Sequence, residues 1–409
     1  MDKSSIKVVI VDLSVKTGSP AGSCVLSQMI GLSTLYNIHL FTSEIGSKIP
    51  ENITTHLIRT LKFPLLFRYI HFSLKVRYRL RRFLRSQDVP CIVQSTAGQY
   101  ADSDILYLHF CHKAYLKKYW GTNTLSGPLR YLRKLNHIYN ARSEAKAIKQ
   151  VKSIVVPSKG LAQELIGFYP SITKKIEIIG NPVDIDFYRK PDNFEEQTVR
   201  RLWGFDAHDI VIVFMALGDF ERKGLPILMD SLRAEPILNA PIKVLVIGGN
   251  PMEINKYRKR AKAMAIEKKM IFAGFQQDIR SLLWVSDLFS LPSLYETFSL
   301  ASLQAAAAGL PLLVSDLYGV QDYLRPGENG WLVERDAKAV AMVLADIVDQ
   351  KYDLIGMGAS ARSSVLDYDN KVFREKWNAF YGKFVEKDKV PIAGLKEGVE
   401  PSGDDPLVN

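Results

Sequence analysis

Residues 291–311, LPSLYETFSLASLQAAAAGLP, decide how the 409-residue chain is read. The apolar run that leads into it, Asp287 to Leu291, predicts a buried strand. Pro292 to Phe298 follow as a loop carrying the carboxylate of Glu296. Ser299 is placed to cap a helix from Leu300 to Ala308, a run of Ala and Leu that forms helix readily. Gly309 and Pro311 stop it. A lone carboxylate then lies just before a helix N-terminus, at the carboxyl end of a strand, which is where open α/β sheets bind ligands. That N-terminus offers unpaired N–H groups and a partial positive charge to an anion, a contribution of up to about 2 kcal/mol when partly buried. Taken alone, Glu296 is equally an ordinary loop acid.

Outward from this stretch, strands and helices alternate. Upstream, Ile210 to Ala216 reads as a strand, followed by the loop Leu217 to Gly224 with Arg222 and Lys223 side by side, then a helix from Leu225. Two adjacent cations after a strand are well placed for a diphosphate, which Arg can hold bidentately. Strands are also predicted over 243–247, 270–273, 312–315 and 331–333. In the first half, Lys7 to Val11 reads as a strand buried on both faces. A glycine-bearing loop, Leu13 to Ser23, and a helix from Cys24 come next. The loop lacks GxGxxG spacing, so a dinucleotide site is not supported. Further strands are expected at 38–41, 90–94, 104–109, 153–156 and 176–179, and a helix over Arg142 to Lys152. The expectation is α/β: two doubly wound Rossmann-like domains. The first spans 1–184, a polar linker opens the second at 185–370, a last helix covers 371–387, and the tail 388–409 reads as disordered.

Three cysteines, Cys24, Cys91 and Cys111, are too few and too scattered for a disulfide framework or a zinc site, which fits a reducing compartment. The apolar run at Val8 to Val11 is too short for a signal peptide, and no stretch is long enough to span a membrane. Asp102-Ser103-Asp104 precedes a strand and reads as a turn, and no metal is expected.

Charge is uneven. Residues 1–185 carry 26 Lys and Arg against 11 Asp and Glu, a balance of +15, and the remainder 28 against 32, a balance of −4. From Lys62 to Arg85 there are eight basic residues and no acid. Phe72, Val76, Leu80 and Phe83 share one helical face, with Arg68, Lys75, Arg79 and Arg82 on another. A basic helix with an aromatic-rich apolar face suits an anionic membrane surface or an anionic acceptor, and it also suits a core helix with a solvated side. No nucleic-acid reading module accompanies the charge, so nucleic acid is not expected as a partner. His109, at the end of a predicted strand, is either structural or a site residue.

PSLYETFSLASLQAAAAGLP resembles the signature of the retaining glycosyltransferases of family 4, which have the GT-B architecture of two domains facing across a cleft. GDFERKG at 218–224, VIGGN at 246–250, FAGF at 272–275 and GENGWLV at 327–333 follow in the family's order. In the first half, VVPSKG at 155–160 and NPVD at 181–184 also fit. The resemblance implies that Glu296 contacts the donor sugar and that the backbone of Phe298, Ser299 and Leu300 holds the diphosphate. It implies that Arg222 and Lys223 neutralise the diphosphate as it leaves. Gly22 would allow close approach of the first domain's loop, and His109 would sit across the cleft. Gly218, Gly248 and Phe275 fall within the matching motifs and join the donor-binding set. Two positions depart from the pattern: Gln304 stands where the family has a second Glu for the ribose hydroxyls, and Ser299 where it usually has Gly. An amide has one accepting oxygen where a carboxylate can accept from both hydroxyls.

The implied activity is retaining, metal-independent transfer of a sugar from a nucleotide-diphosphate sugar to a glycan or lipid-linked acceptor, as in surface polysaccharide or glycolipid synthesis. The protein would be cytoplasmic and peripheral on the inner face of the membrane, without a cofactor. The competing expectation is a catalytically silent GT-B protein that partners an active transferase.

Overall fold

Lys7–Val11 (β1) is apolar and buried from Val8 onward because the sheet around it is covered on both faces. With Asn37–Thr42 (β2), Ile53–Leu57 (β3), Cys91–Thr96 (β4), Ile105–Tyr107 (β5), Ser153–Val156 (β6) and Ile176–Ile178 (β7), it makes an all-parallel sheet in the order β3-β2-β1-β4-β5-β6-β7. A second all-parallel sheet comprises Ile210–Ala216 (β8), Ile242–Gly248 (β9), Met270–Gly274 (β10), Leu288–Leu291 (β11), Leu312–Val314 (β12) and Gly330–Leu332 (β13). Its order is β10-β9-β8-β11-β12-β13. Each order reverses direction at its first strand, so each sheet has a switch point, between β1 and β4 and between β8 and β11, where α/β proteins bind ligands. These are the two doubly wound units of the expected fold class. The computed structural model describes residues 6–16, 18–61, 64–122 and 127–388, so the predicted disorder of the tail and the role of Lys62 lie outside the described residues.

The chain crosses between the two units twice, and the crossings are bonded to each other. Val183 N–H donates to Tyr368 O at 2.9 Å and Asn370 N–H to Val183 O at 3.0 Å. The helix Asn370–Asp388 then lies on the first unit, where Phe373, Trp377 and Tyr381 are buried with Ile10, Ile38 and Met29. Tyr381 Oη donates to Gln94 Oε1 at 2.9 Å, and Gln94 exchanges amide hydrogen bonds with Gln28 at 2.7 and 2.8 Å.

Several local expectations are corrected. The first helix begins at Pro20, with Ser19 as its cap, so Gly22 lies in its first turn and not in a loop. The helix expected from Arg142 runs over Gly127–Gln150. The predicted linker contains short helices at Ile185–Tyr188 and Glu196–Leu202. A further helix, Leu354–Ser364, lies where the sequence reading assigned no element; Gly358 lets it sit directly on Gly309, since a Cβ there would lie 2.0 Å from Gly309 O. The basic helix is Leu65–Arg85, and its face of Phe72, Val76 and Leu80 is wholly buried against Val9, Val11, Leu13 and Phe41. That face belongs to the core. A different stripe of the same helix is open: Phe67, Leu74 and Tyr78 are 53, 65 and 71% exposed.

Candidate active site

The loops after β8 and β11 meet at the second switch point. Between Asp219, which has left-handed backbone geometry at φ 61°, and Gly224 at φ 88°, residues Phe220–Lys223 form one helical turn. Gly224 is required here: a Cβ would lie 2.1 Å from Pro292 O, so only glycine lets this turn press against the Glu296 loop. The two loops are also bonded, Leu294 N–H donating to Arg222 O at 2.8 Å.

The result is a clamp on one carboxylate oxygen. Glu296 Oε1 accepts from Lys223 Nζ at 2.6 Å, from Ser293 Oγ at 2.9 Å and from Arg222 Nη1 at 3.2 Å. Burial pushes the Glu296 carboxyl up, but Lys223 and then Arg222 outweigh it and hold the group below the usual carboxylate range. Arg222 is desolvated too, yet Glu296 and Asp219 keep it firmly protonated. Its Nε donates to Asp219 Oδ2 at 2.9 Å and its Nη1 to Tyr295 O at 2.6 Å; Nη2 carries none of these bonds. A fixed, dense charge cluster therefore stands at the carboxyl ends of β8 and β11, just before the helix Leu300–Ala307.

Ser299 caps that helix, its Oγ accepting from Ser302 N–H at 3.2 Å and from Ser302 Oγ at 2.8 Å. The hydroxyl that replaces the family's Gly hydrogen is thus turned into the helix. Phe298 is buried beside Tyr323 and Tyr368. Leu300 packs against both hydrophobic cores. Gln304 is half-buried, and no described residue hydrogen-bonds its amide.

His109 stands on the other side. Thr297 Oγ1 donates to His109 O at 2.6 Å, which brings the first unit against the Glu296 loop. The ring packs on Tyr107 at 4.1 Å between centroids, and its Nε2 is buried without a partner among the described residues. Burial pushes the imidazole down to about 4, so it is neutral near pH 7.

The remaining predicted residues are spread more widely. Gly218 and the exposed Phe275 lie at the ends of β8 and β10. Gly248, at φ 95°, has its Cβ position filled by Ala216 O at 2.0 Å, so its absent side chain serves the pairing of β8 and β9. The space beside Gly22 is filled by Ser14 and Lys16 backbone.

Sequence reading missed the residues that join the two units. Glu164, on the helix Lys159–Phe168, is buried and accepts from Tyr295 Oη at 2.7 Å and Tyr318 Oη at 3.5 Å. Ser158 Oγ donates to Thr297 O at 2.7 Å, and Arg133 pairs with Asp219 at 3.6 Å. Ser158 lies in VVPSKG and Tyr295 in the opening stretch, so the motifs flagged the segments but not the contact.

A family profile described as Glycosyltransferase Family 4 matches residues 22–187, and one described as Glycosyl transferases group 1 matches residues 209–350. The D-inositol 3-phosphate glycosyltransferase of Corynebacterium glutamicum is 25% identical over 230 residues, 53% of this chain and 54% of its own. The UDP-Gal:alpha-D-GlcNAc-diphosphoundecaprenol alpha-1,3-galactosyltransferase of Escherichia coli is 29% identical over 205 residues, 49% of this chain and 52% of its own. The chain spans about half the length of the curated relatives it matches. Two solved structures share the fold: Anabaena HepE in complex with UDP, at TM-score 0.72 and 15% identity over 92% of this chain and 100% of that one; and WaaG, a glycosyltransferase involved in lipopolysaccharide biosynthesis, at TM-score 0.72 and 16% identity over 94% and 99%. With both halves matched and two Rossmann-like units meeting at the Glu296 loop, the chain belongs to the group 1 glycosyl transferases and has their GT-B fold.

Proposed function

We propose that the chain is a retaining, metal-independent glycosyltransferase that moves a sugar from a nucleotide-diphosphate sugar to a glycan or lipid-linked acceptor in surface polysaccharide or glycolipid synthesis. The observation that carries this is the clamp on Glu296 by Lys223, Arg222 and Ser293, set just before a helix N-terminus. Glu296 accepts a sugar hydroxyl through the oxygen the clamp leaves open. The diphosphate lies against the N–H groups at Leu300, while Lys223 and the Nη2 of Arg222, which bonds none of the described residues, draw off its charge as the glycosidic bond breaks. Such fixed cations and dipoles at developing charge are often the largest catalytic contribution. His109 Nε2, buried and unpartnered among the described residues, supplies a hydrogen-bonding group on the acceptor side. Retention rests on the family resemblance. A phosphorylated acceptor is supported by the names of two relatives, one acting on an inositol phosphate and one on a diphosphate-linked lipid.

For an acceptor held at a membrane, the chain docks peripherally on the cytoplasmic face. No helix among the described residues is long and apolar enough to cross a membrane. The open stripe Phe67, Leu74 and Tyr78, rimmed by Lys75, Arg77, Arg81, Arg82 and Arg85, is the docking element in this reading.

Calorimetric titration with UDP, GDP, ADP and their sugars tests the donor site. Tight binding of one nucleotide is expected, with Lys223→Ala lowering turnover roughly 100- to 1,000-fold on a retained fold. Near-normal turnover in that variant would sink the diphosphate role. Gln304, in place of the family's second Glu, favours a second reading, a silent GT-B partner of an active transferase; absence of binding to every nucleotide would bring it forward.

A further inference from the structure

A pocket of about 560 Å³ on the first unit is lined by Lys113, Lys117, Lys118, Glu164 and Phe168. The three lysines lie on the segment His112–Thr122, whose middle turn, Tyr115–Tyr119, is π-helical. Its i→i+5 bonding widens the turn, and such turns are frequent at functional sites. The widening brings the residues four and five positions after Lys113 round to the same side. All three ammonium groups lie 5.7 Å from the Phe168 ring, and Lys113 is also 4.8 Å from the ring of Tyr169.

The charges in this pocket do not balance. Its one carboxylate, Glu164, is 3.4 Å from Lys118, is itself fully buried, and is shared with the hydroxyls of Tyr295 and Tyr318. Lys113 and Lys117 have no acidic partner among the described residues; Lys113 reaches only the Phe168 carbonyl, at 3.5 Å. Three cations gathered on one ring repel each other, and a ligand of two or more negative charges relieves that repulsion. The pocket also has a fixed relation to the cleft. Glu164 holds Tyr295, the residue before Glu296, so an anion bound by the lysines lies one side chain away from the Glu296 loop.

We propose that Lys113, Lys117 and Lys118 form an anion subsite for the phosphate or diphosphate group of the acceptor. This inference rests on the glycosyltransferase reading above. The subsite places the acceptor by its charge, and the sugar-accepting hydroxyl extends from there into the cleft.

The test is titration of the full chain with inorganic diphosphate and with farnesyl diphosphate. It is run in a Lys223→Ala background, so that the donor site contributes little. Adding Lys113→Ala and Lys117→Ala should weaken binding of at least one of the two probes by tenfold or more. Lys113→Arg with Lys117→Arg should restore it. The alanine pair with Lys223 intact should bind nucleotide within about twofold of the unmodified chain, which reports separately on the donor site. Farnesyl diphosphate bound more tightly than inorganic diphosphate assigns the subsite to a lipid-borne acceptor; the reverse order assigns it to a water-soluble one. Affinity for both probes unchanged by the alanine pair, or no binding of either probe before the pair is replaced, overturns the subsite. Loss of nucleotide binding throughout would instead overturn the transferase reading.

Discussion

At Glu296 a single oxygen accepts from Lys223, Arg222 and Ser293, and this explains how a buried carboxylate stays ionised. Its position between strand and helix was legible, because apolar run, Ser cap and Gly stop are local signals. Ser293 was not legible as a partner, since nothing local says where a loop hydroxyl points. Gln304 gives the sharpest prediction at this scale. Its amide has no partner among the described residues, so it is available to a ligand, with one accepting oxygen where the family's Glu has two. Gln304→Glu should tighten nucleotide binding roughly tenfold, the usual gain when a neutral hydrogen bond becomes a charged one. Calorimetry on the two proteins decides it, and equal or weaker affinity in the variant would mean that the site is fitted to the amide.

At the scale of elements, the basic helix Leu65–Arg85 shows what periodicity leaves open. Its apolar residues form two stripes, and the one read from spacing, Phe72, Val76 and Leu80, is the core face, because a helix on a sheet must bury something. The open stripe of Phe67, Leu74 and Tyr78 is offset from it and emerges only once the sheet is in place. Arg79 is not a clean probe of this surface, since it donates to Leu57 O at 3.0 Å. Arg82→Glu with Arg85→Glu should lower partition onto anionic vesicles by tenfold or more, at about 1 kcal/mol for each basic residue; co-sedimentation unchanged at low salt would remove this face from the reading. The helix Gly127–Gln150 carries a different device. Burial pushes Glu144 up to about 7, against hydrogen bonds from His112 N–H at 3.0 Å and Tyr169 Oη at 3.1 Å. Between its ordinary value of 4.5 and about 7, the folded chain keeps a proton that the unfolded chain gives up. This group therefore costs stability as pH rises through that window, and the cost is constant above it. Glu144→Gln should gain on the unmodified chain across the same window, by up to about 3 kcal/mol. Thermal midpoints compared from pH 4.5 to 8 would refute this if the gap between the two proteins stayed flat.

For the whole molecule, the alternation of strands and helices made the fold class legible, and two motif sets flanking a linker made both units so. How the units meet was not legible, because it depends on side chains far apart in the chain. Ser158, Glu164 and His109 reach Thr297 and Tyr295, joining the first unit to the same loop that holds Glu296. The relative placement of the domains is thereby tied to the geometry of the clamp. Tyr295→Phe removes the 2.7 Å bond to Glu164 and leaves a buried carboxylate short of a donor. A bond to a charged group contributes about 1.5–3 kcal/mol, so amides in the stretches 159–168 and 293–299 should exchange hydrogen at least tenfold faster. Lys223 and Arg222 still hold Glu296, so nucleotide affinity should change by less than threefold while turnover falls further, because only the first unit has moved relative to the clamp. Unaltered exchange in both stretches would mean that the Glu164–Tyr295 bond does not hold the domains together. An equal loss of affinity and turnover would mean that the clamp itself depends on it.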